Sequence, residues 1–150
     1  MQWPLWLSTA GPAMKTYDEM SKLETFDERF NYLKLNGRVS FTHRYLNQAL
    51  YQSEEWKRFR RRVIIRDDGC DLGIPGLKIM TSVHIHHINP IMEEDIVNRA
   101  PCVFDMNNVV CTSSNTHNAI HYGDDNLLVK DYVERKPGDT CPWRKQNVDI

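Results

Sequence analysis

No stretch of this 150-residue chain approaches the roughly 20 consecutive apolar residues needed to cross a bilayer, so a transmembrane reading fails. No Lys or Arg precedes Lys15, and the apolar opening MQWPLWLSTAGPA therefore lacks the positive start of a secretory signal. Residues 1–13 read as a loose tail, because Met14 opens the first strongly patterned segment. The four cysteines (Cys70, Cys102, Cys111, Cys141) form no CxxC pair. That argues against a secreted disulfide scaffold and for reduced thiols in a cytoplasm. Net charge is only −1, which by itself gives no prior for nucleic acid. Internal repeats and low-complexity segments are absent. The length suits one compact domain.

What is present is local. Lys57, Arg58, Arg60, Arg61, Arg62 and Arg66 fall within ten residues with no acid among them, a positive patch in a neutral chain. They belong to a predicted helix: Ser53 can cap it, Glu54 and Glu55 occupy its first turn, and Trp56, Phe59 and Val63 share one face. It stops near Asp67-Asp68-Gly69. Upstream, Thr16–Leu35 reads as one or two short helices closed by Asn36-Gly37, and Thr42–Leu50 as another. Downstream, Leu77–Met80 and Val83–Ile88 are apolar and β-branched, which predicts a hairpin ended by Asn89-Pro90. A long connection over 91–107 follows, with one helical turn near Glu93–Asn98. Asn108–Cys111 reads as a short extended piece, and a helix capped at Ser113, Ser114 or Asn115 runs to about Tyr122. The expected fold class is α+β: a hairpin, long loop and helix with N-terminal helices packed on them. The boundaries are a tail at 1–13, a domain at 14–136 (helical part 14–68, core 76–123) and a tail at 137–150.

Five of the six histidines lie between 84 and 121. His117 and His121, four apart, stack on one helix face and offer two imidazoles to one divalent ion. His86 and His87 are adjacent on a strand and point to opposite sides, so one can reach the ion while the other meets a different partner. That division suits hydrolysis, with one ring binding the ion and its neighbour taking a proton from water. His84 and His43 read as structural residues, and His84, on the strand face of His86, can also brace the site.

VHIHHINP, FDMNNVV and THNAIHYGD together resemble the HNH endonucleases of the ββα-metal superfamily, and RDDGCDLGI with THNAIHYGD resembles their phage and prophage members. The resemblance runs from Met14 to about Arg144. It implies DNA as substrate and one divalent metal ion (Mg2+, Mn2+, Ni2+ or Zn2+) as cofactor. It implies His86 as first metal ligand, His87 as general base, and Asn108, in preference to Asn107, as the Asn that ties down the loop before the helix. His117 is then the final motif histidine, and His121 the additional ligand of colicin-type nucleases. Lys57, Arg58, Arg61, Arg62 and Arg66 are expected to grip phosphates. One departure stands out: many relatives carry a zinc ribbon with two CxxC pairs, whereas here only Cys70 matches, with Gly73, Ser113 and Thr116 at the other three positions. A structural zinc is not expected. A non-catalytic nucleic-acid-binding module of phage DNA packaging remains an alternative, as does an RNase or toxin on the same core. A phage-encoded chain would act in the bacterial cytoplasm.

Overall fold

The computed structural model describes residues 14–35 and 44–128. The expected tails, His43, the Asn36-Gly37 stop and Cys141 lie outside those residues.

The first two helices begin at hydroxyl caps. Thr16 accepts the Glu19 amide to start α1 (Tyr17–Ser21), and Thr25 forms a reciprocal capping box with Glu28 at α2 (Phe26–Leu33). Helix α3 spans Arg44–Gln52. Ser53 accepts from the Trp56 amide and opens α4 (Glu54–Asp67), which ends on Asp68 in the left-handed region. Trp56, Phe59, Val63 and Asp67 form its buried face, at the expected spacing.

Strand β1 (His84–His87) pairs antiparallel with β2 (Val109–Thr112) in a two-stranded sheet, with His84 opposite Thr112 and His87 opposite Val109. The short α5 (Glu93–Val97) sits in the long connection between the strands, and α6 (Ser114–Tyr122) follows β2 directly. Helices with a small antiparallel sheet make the class α+β.

The predicted hairpin is corrected here: β1 does not pair with Leu77–Met80. That segment makes only an isolated bridge from Lys78 to Cys70, with the Ile79 amide on the Gly69 carbonyl and the Asp71 amide on the Leu77 carbonyl. Burial explains the choice. The sheet is covered on both sides, so a partner strand must be apolar on both faces. All four residues of Val109–Thr112 are buried, whereas Met80 is 88% exposed.

The pleat sorts the strands between two clusters. Ile85, Val109 and Cys111 pack with Trp56, Phe59 and Val63 of α4. Val110 and Ile88 pack with Ala119 and Ile120 of α6, and with Met20, Phe30 and Leu33 from α1 and α2. The sheet therefore lies between α4 and α6, with the first two helices docked on the α6 side. Burying each such large apolar side chain contributes roughly 1.5–3 kcal/mol.

A buried polar knot closes the α4 end. The Asp67 carboxylate, with its side chain fully buried, accepts from the Tyr17 hydroxyl (2.9 Å), Arg66 Nε (2.8 Å) and the Cys111 amide (2.9 Å). Burial and the neighbouring Asp67 push the Tyr17 hydroxyl up to about 12, so it stays protonated and donates.

Candidate metal centre

Strand alternation puts His84 and His86 on the α6 side of the sheet and His87 on the α4 side. Helix α6 presents His117 and His121 one turn apart, and the three rings of His86, His117 and His121 converge. One nitrogen from each lies within 4.8 Å of the others. The ring centroids of His86 are 5.6 Å from His117 and 5.0 Å from His121. Nε2 of His117 and Nε2 of His121 are 3.2 Å apart. Two nitrogens each about 2.0–2.1 Å from one ion subtend that separation at an ordinary coordination angle.

His86 supplies the strongest test of fit. It is 1% exposed, yet neither ring nitrogen has a hydrogen-bond partner. Leaving such a group unsatisfied costs roughly 1–3 kcal/mol, and a bound cation relieves it. Thr112 Oγ1, also buried without a partner, lies on the same face of the sheet. The residues present therefore fit a divalent ion. His117 and His121 are half-buried, so the cluster keeps a side toward solvent. This is the only such group among the described residues, and none of Cys70, Cys102 and Cys111 joins it. Burial, and then the neighbouring Asp67 carboxylate, pushes the Cys111 thiol up to about 12.

Electrostatics prepare the rings. Burial, then the charge each would carry beside the others, lowers His86 well below the ordinary imidazole value. The same causes bring His117 from 6.5 to about 4, and burial lowers His121. Neutral imidazoles are the form that binds a metal.

A pH prediction follows for the metal-free protein. The folded-state values are depressed, so the unfolded chain takes up protons first as pH falls. The stability that His117 contributes is present above about 6.5 and lost as pH drops toward about 4. For His117 the span corresponds to roughly 3 kcal/mol. Urea unfolding in EDTA between pH 7 and 4.5 should show this slope, and His117→Gln should flatten it. An unchanged slope in the variant contradicts the assignment.

His87 is buried on the opposite face, its ring 5.7 Å from Trp56 and its Nε2 3.0 Å from the Val103 carbonyl. A carbonyl only accepts, so Nε2 carries the proton and Nδ1 holds the free lone pair. Burial lowers the His87 pKa, against a smaller raising effect of the Val103 bond.

Asn108 organises the loop that supplies Val103. Its Nδ2 donates to the Cys102 carbonyl (3.0 Å), and its Oδ1 accepts from both the Asn89 amide (2.9 Å) and Asn89 Nδ2 (2.8 Å). Asn107 faces outward to the Asp18 amide instead. Asn89, read from sequence only as the strand terminator, is a hub. It also pairs with both backbone groups of Lys15, tying the first described residues to the loop. Its turn-forming side chain gave no signal of that role.

The basic residues divide. Lys57, Arg58, Arg61 and Arg62 are exposed on α4, Lys57 in an ion pair with Glu54. Arg66 turns inward: its guanidinium lies 3.4 Å over the Tyr17 ring and donates to Asp67 and to the Met106 and Val109 carbonyls. His84 stacks on His117, centroids 5.2 Å apart, with Nε2 2.8 Å from Ser114 Oγ, as a brace would. No helix among the described residues is long and apolar enough to cross a membrane. Compared with protein-family models, curated proteins and solved structures, the chain matches none.

Proposed function

We propose that this protein is a metal-dependent DNA endonuclease of the HNH type, with β1, β2 and α6 as its ββα-metal core. The observation that carries the reading is the buried, unpartnered His86 facing His117 and His121. A divalent ion held by these three rings supplies Lewis-acid polarisation of a phosphodiester oxygen and charge for the departing 3′-oxygen. An all-imidazole set suits zinc, nickel or manganese better than magnesium. His87, with its tautomer set by Val103, takes a proton from the attacking water at Nδ1. Asn108 holds the Cys102–Val103 segment that orients it. Expected products carry 5′-phosphate and 3′-hydroxyl ends. A phage-encoded chain acting in the host cytoplasm fits this chemistry.

The sheet separates the exposed arginines of α4 from the three ligands. Their contacts then fall on phosphates away from the reacting one and supply affinity, not chemistry. Arg61→Ala with Arg62→Ala should weaken binding on many sequences alike. It should also flatten the salt dependence by about 0.9 units of slope per lost contact. Turnover at saturating DNA should hold. Filter binding at several salt concentrations checks this, and an unchanged slope returns the helix to a solvated face.

A second reading is favoured by one observation, the burial of His87 on the face away from the ion. It makes the chain a non-catalytic nucleic-acid-binding module in which the ion is structural. Incubating the protein with supercoiled plasmid, and separately with RNA, plus each divalent ion and an EDTA control decides. Metal-dependent nicking or linearisation supports the nuclease. Cleavage of RNA alone makes it a ribonuclease, and binding without cleavage of either acid selects the module.

A further inference from the structure

We infer that Asp71 is a positioning residue for the metal centre, setting where the helix-borne imidazoles stand relative to His86; this rests on the metal reading above. Asp71 touches none of the three histidines. It acts on the junction that carries two of them. One residue, Ser113, separates the last residue of β2 from the first of α6. Asp71 Oδ1 accepts the Ser113 amide (3.1 Å), and Oδ2 accepts both the Ser113 hydroxyl (2.9 Å) and the Thr116 hydroxyl (2.6 Å). Ser113 Oγ in turn accepts the Thr116 amide, so carboxylate, cap and first helical turn form one closed set. His117 follows immediately, its amide on the Ser113 carbonyl at 2.9 Å.

The carboxylate is itself anchored. The Asp71 amide donates to the Leu77 carbonyl at 2.8 Å, Arg29 holds the next carbonyl, that of Leu72, at 2.7 Å, and the Leu72 side chain is fully buried. Asp71 thus fastens the start of α6 to a turn that is itself hydrogen-bonded and packed into the core. The apolar contacts of Ala119 and Ile120 press the helix down but carry little directional preference. Orientation comes from the hydrogen bonds. At a rise of 1.5 Å per residue, His121 lies roughly 12 Å along the helix from Ser113, so a swing of about 5° at the cap displaces it by about 1 Å. That exceeds the roughly 0.5 Å within which a site must be held. His86 reaches the same point through β1, whose register with β2 is fixed. The clasp therefore governs the angle between the strand ligand and the helix ligands.

The test is cobalt titration of the whole chain, read by affinity and by the visible absorption of the bound ion, which reports coordination geometry without requiring cleavage. Asp71→Ala should bind Co2+ at least about tenfold more weakly, the usual scale for losing support behind a ligand. Its spectrum at saturation should also differ from that of the unaltered protein. Thr116→Val, which removes one hydroxyl at constant volume, should move both readouts in the same direction by less, and it decides the matter if Asp71→Ala does not fold. Val63→Ala, in the cluster across the sheet, is the stability control and should keep both affinity and spectrum. Native affinity and spectrum in Asp71→Ala, or a loss no larger than in Val63→Ala at equal melting temperature, overturns the role of Asp71 alone. No cobalt binding by the unaltered protein overturns the metal reading and this inference with it.

Discussion

His87→Ala is expected to lower DNA cleavage by roughly a hundredfold or more while leaving metal affinity nearly intact. The two neighbouring histidines have separate environments, and this separates their effects. His86 faces His117 and His121 with both nitrogens unpartnered, so His86→Ala removes a ligand and should weaken metal binding outright. His87 has no ring contact with that trio; it packs on Trp56 and holds the Val103 carbonyl. Its loss deletes a proton acceptor. The pH profile adds a second signature. Only the neutral ring accepts a proton, and burial lowers the pKa of His87 below 6.5. Activity should therefore rise with pH along a limb lying below the free-imidazole value, and the variant should lack that limb. Plasmid nicking rates from pH 5 to 8 under saturating metal provide the measurement. A variant that nicks at the native rate, with the native profile, removes His87 from the chemistry and favours a structural imidazole behind Trp56.

The cluster was legible because two periods coincide in the sequence. A four-residue interval on a helix and an alternation on a strand each fix a direction, and His117, His121 and His86 obey them. The start of α4 was equally open, since Ser53 and its two acids are a local signal that needs no tertiary context. Strand pairing is different. Leu77–Met80 and Val109–Thr112 are both short and apolar, and choosing between them depends on what covers each face. That information lies in how α4 and α6 pack on the two faces of the sheet, which no local pattern states. Arg66 shows a signal that could have been used: it follows Phe59 by seven residues and Val63 by three, which places it at the buried seam and not with Arg61 and Arg62. Which carbonyls it would meet, those of Met106 and Val109, was not readable from any local pattern.

Asp67→Ala is expected to cost about 3–5 kcal/mol, the scale for breaking a buried ion pair from one side. The carboxylate joins three parts of the molecule: Tyr17 from α1, Arg66 from α4 and the Cys111 amide from β2. Truncation takes the carboxylate acceptor from a half-buried guanidinium, a half-buried phenol and the amide of the fully buried Cys111. Gly73 packs against the same knot. A Cβ there would lie 3.3 Å from Arg29 Nη1 and 3.4 Å from Asp67 Oδ1, so little room exists for a water to substitute. Tyr17→Phe removes one hydrogen bond to a charged group and should cost less, about 1.5–3 kcal/mol. Because both changes act on one network, the double variant should be more stable than the sum of the single losses predicts. Against a typical total of about 5–15 kcal/mol, Asp67→Ala approaches the limit of folding. Urea denaturation at pH 7 with and without metal measures it, and Tyr17→Phe remains measurable if the alanine variant does not fold. The effect should extend to the site, since β2 carries the register of β1 and hence His86. A loss within about 0.5 kcal/mol for Asp67→Ala, the range of ordinary surface changes, would show that the knot is incidental and that packing alone holds α1 and α4 to the sheet.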